Sequence, residues 1–135
     1  MKMIILRGLP GSGKTYWVKE NMAKEDYVVC SADHHFMVNG QYQFNPRGLG
    51  EAHAKSQAKA IGSMAIRFPY VIVDNTNTQK WEWLVYETAA KALDYSVEII
   101  DLFDGGGCTD RELFERNTHG VPLASISAMR QRYER

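Results

Sequence analysis

The sequence predicts an α/β fold: a mostly parallel sheet of about four strands, helices on both faces, and a short helical lid. Three observations predict it. Short apolar runs alternate with stretches of helical character along the whole chain, the order that strand–helix–strand crossovers produce. The first and third runs are apolar without alternation, as strands buried on both faces are. A glycine-rich segment, Gly8-Leu9-Pro10-Gly11-Ser12-Gly13-Lys14-Thr15, joins the first run to the first helix.

The elements follow in order. Residues 2–7 form the first strand and residues 13–24 the first helix. Residues 27–31, rich in β-branched and aromatic side chains, form the second strand, which ends at Ala32-Asp33-His34-His35. Residues 36–45 turn at Asn39-Gly40, and Tyr42 and Phe44 alternate with polar residues as a short hairpin would require. Asn45 caps a long helix and Pro46 takes its first position. That helix runs to Arg67, with its first turn weakened by Gly48 and Gly50, and Pro69 marks the exit. Residues 70–74 are the third strand, ending in Asp74, and residues 75–78 a polar loop. Residues 79–93 form a helix whose Trp81, Leu84, Val85, Thr88, Ala89 and Ala92 recur at three- and four-residue spacing. The fourth strand, residues 97–103, alternates, which predicts a half-exposed edge. Gly105-Gly106-Gly107 breaks the chain before Thr109-Asp110-Arg111-Glu112, a capping box that opens a short helix ending near Asn117. Val121-Pro122 starts the last helix, to about Tyr133.

No repeat, linker or low-complexity segment divides the 135 residues, so a single domain over 1–135 is expected. Lysine plus arginine and aspartate plus glutamate balance at 16 each, so no global positive field points to nucleic acid, and any such binding needs a local groove. Cys30 and Cys108 suit no metal or redox spacing and read as free thiols. Residues 3–6 are too short for the apolar core of a leader, and no window approaches a membrane span. A cytoplasmic location is expected.

The glycine-rich segment fits G-x-x-x-x-G-K-[ST] at every fixed position. A triphosphate is a dense anion. Backbone N–H groups cradle it only where the chain can close around it, which Gly8, Gly11 and Gly13 permit beside Pro10 and Ser12. Lys14 reaches the outer phosphates, the Thr15 hydroxyl ligates Mg²⁺, and the following helix aims its positive end at the charge. In parallel sheets, ligands bind beyond the carboxyl ends of the strands, and that edge carries Asp33 and Asp74 as well. One carboxylate suits a base for an attacking hydroxyl and the other a Mg²⁺ site; strand position leaves the two jobs interchangeable. Arg111 and Arg116 follow the glycine break, where a closing lid would place positive charge on the phosphates, although each also has a glutamate at ion-pair spacing. His34 and His35 lack a second cluster for a metal, and His53 and Gln57 share one helix face. Phe68, Tyr70, Trp81 and Trp83 read as core or surface aromatics rather than a base-stacking platform.

Six segments, L-R-G-L-P-G-S-G-K-T, S-A-D-H-H-F, N-G-x-Y-x-F-N-P, E-A-H, V-D-N-T-N and E-R-N-x-H-G-V-P, resemble in this order a P-loop kinase family, the polynucleotide 5′-kinase-like group that includes the kinase domain of phage RNA-repair enzymes. The likeness runs from Leu6 to about Tyr133, and the segments after the P-loop are its more specific part. It implies a P-loop NTPase/kinase fold, with ATP and Mg²⁺ held by Lys14 and Thr15. It implies Asp33 as general base and Arg116 on the phosphates, and the family's D-T-N motif falls on Asp74, Thr76 and Asn77. The repair kinases carry an arginine three residues after the catalytic aspartate, where this chain has Phe36, and this chain would lack the phosphatase domain that accompanies some of them. The expected activity is ATP-dependent transfer of the γ-phosphate to a hydroxyl, with a polynucleotide 5′-OH as the first acceptor. A nucleoside, modified base or small metabolite is the second, and a nucleotide-binding module without transfer is a third reading. Oligomeric state is not legible.

Overall fold

The computed structural model describes all residues, 1–135. A four-stranded parallel sheet runs in the order β2-β5-β1-β6, from β1 (Lys2–Arg7), β2 (Tyr27–Cys30), β5 (Tyr70–Asp74) and β6 (Ser96–Asp101). The first and third apolar runs of the sequence, β1 and β5, take the two central places, where both faces of a strand are covered. β6, the alternating run, is an edge: only Val97 and Ile100 are even half-buried.

Alternation along β1 splits the core in two. Met3 and Ile5 pack with Ala60 and Met64 of α2 (Leu49–Ala65) and with Trp83, Tyr86 and Ala90 of α3 (Lys80–Ala92). Ile4 and Leu6 face the other way, against Val18 and Met22 of α1 (Lys14–Met22). A third, smaller cluster joins Leu9 and Cys108 to Leu113 of α4 (Asp110–Arg116), Ile126 of α5 (Leu123–Arg132) and Tyr133. This cluster fastens the two C-terminal helices beside the glycine-rich loop.

The hairpin the sequence allows is present, as β3 (Met37–Val38) and β4 (Gln41–Tyr42), with Asn39 and Gly40 both at positive φ. Asn45 caps through its side chain, but Pro46–Gly48 forms a 3-10 turn and the α-helix begins only at Leu49. That helix stops short of Arg67, whose φ of 63° has left the helical region. The capping box at Thr109 and Glu112 closes in both directions.

The helical spacing read in the sequence leaves open which stripe of α3 faces inward. The one through Trp81, Leu84 and Val85 does not: Trp81 is 70% exposed, and the buried residues are Trp83, Tyr86 and Ala90. Both stripes share helical spacing. The inner one wins because its aromatics find polar partners: Tyr86 donates its hydroxyl to Ser56 Oγ at 2.9 Å, and the Trp83 ring lies under the Arg7 guanidinium at 4.2 Å.

Candidate active site at the carboxyl edge of the sheet

The loop between β1 and α1 is sewn to its neighbours. Gly8 N–H donates to Thr76 O at 3.1 Å and Leu9 N–H to Phe103 O at 2.9 Å. Gly11, at φ 81°, has no room for a side chain: a Cβ there would stand 2.4 Å from Leu113 O of α4. Gly13, at φ 101°, opens on empty space and starts α1. Pro10 is half-buried. Ser12 Oγ is buried with no partner, so the loop encloses a polar atom that still needs one. Lys14 Nζ donates to the loop's own carbonyls, Gly8 O at 2.9 Å and Leu9 O at 3.3 Å. Burial lowers the Lys14 pKa against the pull of Asp74 and Asp33, so three charged groups share this site. Thr15 is exposed on the first turn of α1.

Asp74 ends β5 itself. Burial raises its pKa, and Asp33 adds to the rise while Lys14 opposes it. Asp33 sits further out, on a 3-10 turn over Ala32–Phe36 that Ser31 caps. Asn75 pins that turn by accepting from Ala32 N–H at 2.9 Å. Tyr42 donates its hydroxyl to Asp33 Oδ1 at 3.1 Å, and His119 Nδ1 lies 3.3 Å from Oδ2. The Tyr42 and His119 rings stack on each other at 4.5 Å. Neither residue was assigned a job by sequence reasoning, although both lie inside the segments N-G-x-Y-x-F and E-R-N-x-H-G that carried the resemblance.

The remaining candidates separate. Arg116 lies at the loop, with its Cβ 3.2 Å from where a Gly11 side chain would begin, and its Nη1 donates to Cys108 Sγ at 3.1 Å. Arg111 is turned to Glu115 at 3.5 Å, an exposed pair. Thr76 and Asn77 hold the scaffold: Asn77 Nδ2 donates to Leu6 O at 2.8 Å and takes positive φ. His53 and Gln57 are half-buried on α2. A cavity of about 560 Å³ lies between Ser12, Gly13 and Tyr16 on one side and residues 101–106 on the other.

No group of three or more His, Cys, Asp or Glu side chains could hold a metal ion unaided. The Thr15 hydroxyl and the Asp74 carboxylate are hard oxygen donors of the kind Mg²⁺ prefers, and that ion is ordinarily completed by water and phosphate oxygens. The unpartnered Ser12 Oγ and the open space at Gly13 fit a loop shaped for an added polar group.

A family model described as an AAA domain matches residues 3–135. The human NEDD4-binding protein 2 is 37% identical over 136 residues, which cover 98% of this chain. This chain spans only 8% of that relative's length. A chain of the Pnkp1/Rnl/Hen1 RNA repair complex superposes with a TM-score of 0.68 at 18% identity, over 97% of this chain and 43% of that one. Kti12 from Chaetomium thermophilum, in complex with ADP-AlF3, gives a TM-score of 0.62 at 18% identity, over 98% of this chain and 80% of that one. At these identities the two structures establish the fold, an α/β sheet of P-loop kinase type. With its P-loop at the carboxyl edge of that sheet and the family model matched from residue 3 to residue 135, the chain belongs to the AAA domain family.

Proposed function

We propose that this chain transfers the γ-phosphoryl group of ATP to a hydroxyl, with the 5′-hydroxyl of a polynucleotide as acceptor. The observation that carries the reading is the meeting of Lys14, Asp74 and Asp33 at adjacent strand ends beside the P-loop. The likeness to a chain of an RNA repair complex favours a polynucleotide over other hydroxyls.

In this reading the loop's N–H groups, with Pro10 and Ser12 between its glycines, wrap the triphosphate, and Lys14 leaves Gly8 O and Leu9 O for phosphate oxygens. The nucleoside enters the cavity beside Tyr16 and Phe103. Thr15 and Asp74 hold Mg²⁺, which offsets phosphate charge when bound. The acceptor oxygen attacks the γ-phosphorus as the bond to the β–γ bridging oxygen breaks, and Asp33 takes the hydroxyl proton. Arg116 turns from Cys108 to the transferring oxygens, and Arg111 is the further phosphate contact on the same helix. No helix is long and apolar enough to cross a membrane, and the free thiols Cys30 and Cys108 are at home in a reducing cytoplasm.

One observation favours a smaller acceptor. Phe36 is only 4% exposed and packs with Ala32 and Ala52, so this position offers no charge to a nucleic-acid backbone. Transfer of labelled γ-phosphate from ATP to a panel of 5′-OH DNA, 5′-OH RNA, nucleosides and sugars decides among the readings. The expected result is label on a 5′-OH strand. Label on a small molecule alone selects the second acceptor class. ATP bound with nothing labelled makes the chain a nucleotide-binding module.

A further inference from the structure

The end of α4 faces two parts of the site at once. Its last turn lies on the glycine-rich loop: a Cβ at Gly11 would stand 2.4 Å from Leu113 O and 3.2 Å from both Arg116 Cβ and Asn117 N. Arg116 is parked there on Cys108 Sγ at 3.1 Å, a weak acceptor that holds a guanidinium loosely. Three residues on, His119 reaches the turn that carries Asp33, with its Nδ1 3.3 Å from Oδ2.

The segment between the two side chains is tied to itself. Asn117 Oδ1 accepts from Val121 N–H at 2.9 Å, Asn117 Nδ2 donates to Phe114 O at 2.6 Å, and Gly120 takes a φ of 65°. Residues 117–121 therefore form a small closed loop on the end of α4, and the imidazole travels with that helix. Tyr42 stacks on the imidazole at 4.5 Å and sets its plane, while its own hydroxyl donates to Asp33 Oδ1 at 3.1 Å. An ionised carboxylate only accepts, so a hydrogen bond from His119 needs the proton on Nδ1. At 3.3 Å the contact is a little longer than a settled N–H···O bond, as catalytic contacts often are before the ligands arrive. With one partner beside each oxygen, each keeps a lone pair for an arriving hydroxyl.

We propose that His119 is a positioning residue for Asp33, and that movement of α4 toward bound nucleotide closes its Nδ1 contact, so that the base is aligned for the acceptor only once ATP is in place. Arg116 and His119 then respond to one event: phosphates draw the guanidinium from Cys108, and α4 carries the imidazole onto Oδ2. The role rests on the kinase reading above. It adds the residue that orients the base and the order in which the two substrates complete the site.

Two substitutions separate the ring from its proton. His119→Phe keeps the stack on Tyr42 and loses the donor; His119→Asn loses the stack and keeps a donor near the place of Nδ1. With ATP and a 5′-OH RNA oligonucleotide, kcat is expected to fall about 10-fold in His119→Phe, the worth of one hydrogen bond to a charged group. His119→Asn should recover most of that loss, and KM for ATP should hold in both. In the Asp33→Asn background, His119→Phe should cost nothing more, because it acts through that carboxylate. The imidazole ¹⁵N signal absent from His119→Phe identifies the residue among the four histidines. In the wild type that signal should shift when a non-hydrolysable ATP analogue and Mg²⁺ are added, and in Asp33→Asn it should not. A loss in His119→Asn as deep as in His119→Phe, or a full further loss in the Asp33→Asn background, makes the residue a prop of the hairpin and overturns the proposal. A wild-type signal blind to nucleotide overturns it as well. Unaltered transfer in His119→Phe overturns it and leaves the kinase standing, whereas a wild type that labels no acceptor in the panel removes the kinase and the proposal with it.

Discussion

β2 and β5 lie side by side, with Cys30 level with Val73, and each leads into an aspartate. The two acids meet different worlds within a few residues. Asp74 is the last residue of its strand, so the sheet fixes its backbone, and it sits in the low-dielectric company of Lys14. Asp33 is carried one 3-10 turn beyond its strand, and its side chain is 44% exposed. Its partners are a tyrosine hydroxyl and an imidazole brought from a hairpin and from the loop after α4. A carboxylate fixed beside a buried lysine suits a cation and a phosphate. One at the border of solvent, with partners that can move aside, suits an arriving hydroxyl. Strand position alone gives the two acids the same place; the distance the backbone travels past each strand sets their surroundings apart.

The largest effect expected from this contrast is at Asp33. Asp33→Asn keeps the shape and the Tyr42 contact but cannot take a proton, and transfer should fall by about 10²–10⁴-fold. ATP affinity, read by fluorescent-nucleotide titration, should hold. A fall in affinity as large as the fall in rate would place Asp33 on the nucleotide instead.

A smaller effect is expected at the tyrosine. Tyr42→Phe removes one hydrogen bond from Asp33 and leaves the ring stack on His119, so kcat should change by about 2- to 10-fold with KM for ATP unmoved. The hydroxyl itself is held above the ordinary tyrosine range, by burial first and then by Asp33, so it stays a donor throughout the assay range. An unaltered kcat in Tyr42→Phe would show that the contact does not serve the reaction.

The smallest is in stability. Asp74 has its pKa raised in the folded chain, so folding favours its protonated form. That contribution is present below the ordinary carboxylate value of about 3.9 and is lost as pH rises through the raised one. Asp74→Asn escapes the loss. Without nucleotide it should melt above the wild type at neutral pH, and the gap should close in acid. A lower melting temperature at neutral pH would mean that attraction to Lys14 outweighs burial.

Much of this edge was legible in the sequence because its signals are local. Eight consecutive residues spell the P-loop, Thr109 and Glu112 spell a capping box, and the unalternating β1 announces a central strand. What escaped depends on residues far apart in the chain. Nothing near His119 says that it will stack on Tyr42, because both the hairpin and the loop after α4 must first be placed by the sheet. Arg7 reads as a charge closing a strand, yet it is 5% exposed, paired with Asp101 at 3.0 Å and sandwiched by Trp83 and Tyr133. The inner face of α3 escaped for the same reason, since Trp83 is drawn inward by that arginine.

The division of labour between the two acids is tested most directly by one measurement: transfer rates of Asp33→Asn and Asp74→Asn across a Mg²⁺ titration at saturating ATP. Asp33→Asn should be slow at every Mg²⁺ concentration, with the wild-type half-saturation point. Asp74→Asn should need about 10- to 100-fold more Mg²⁺ and recover part of its rate when given it. If Asp74→Asn keeps the wild-type Mg²⁺ requirement while Asp33→Asn shifts it, the two carboxylates hold each other's roles and the account is wrong.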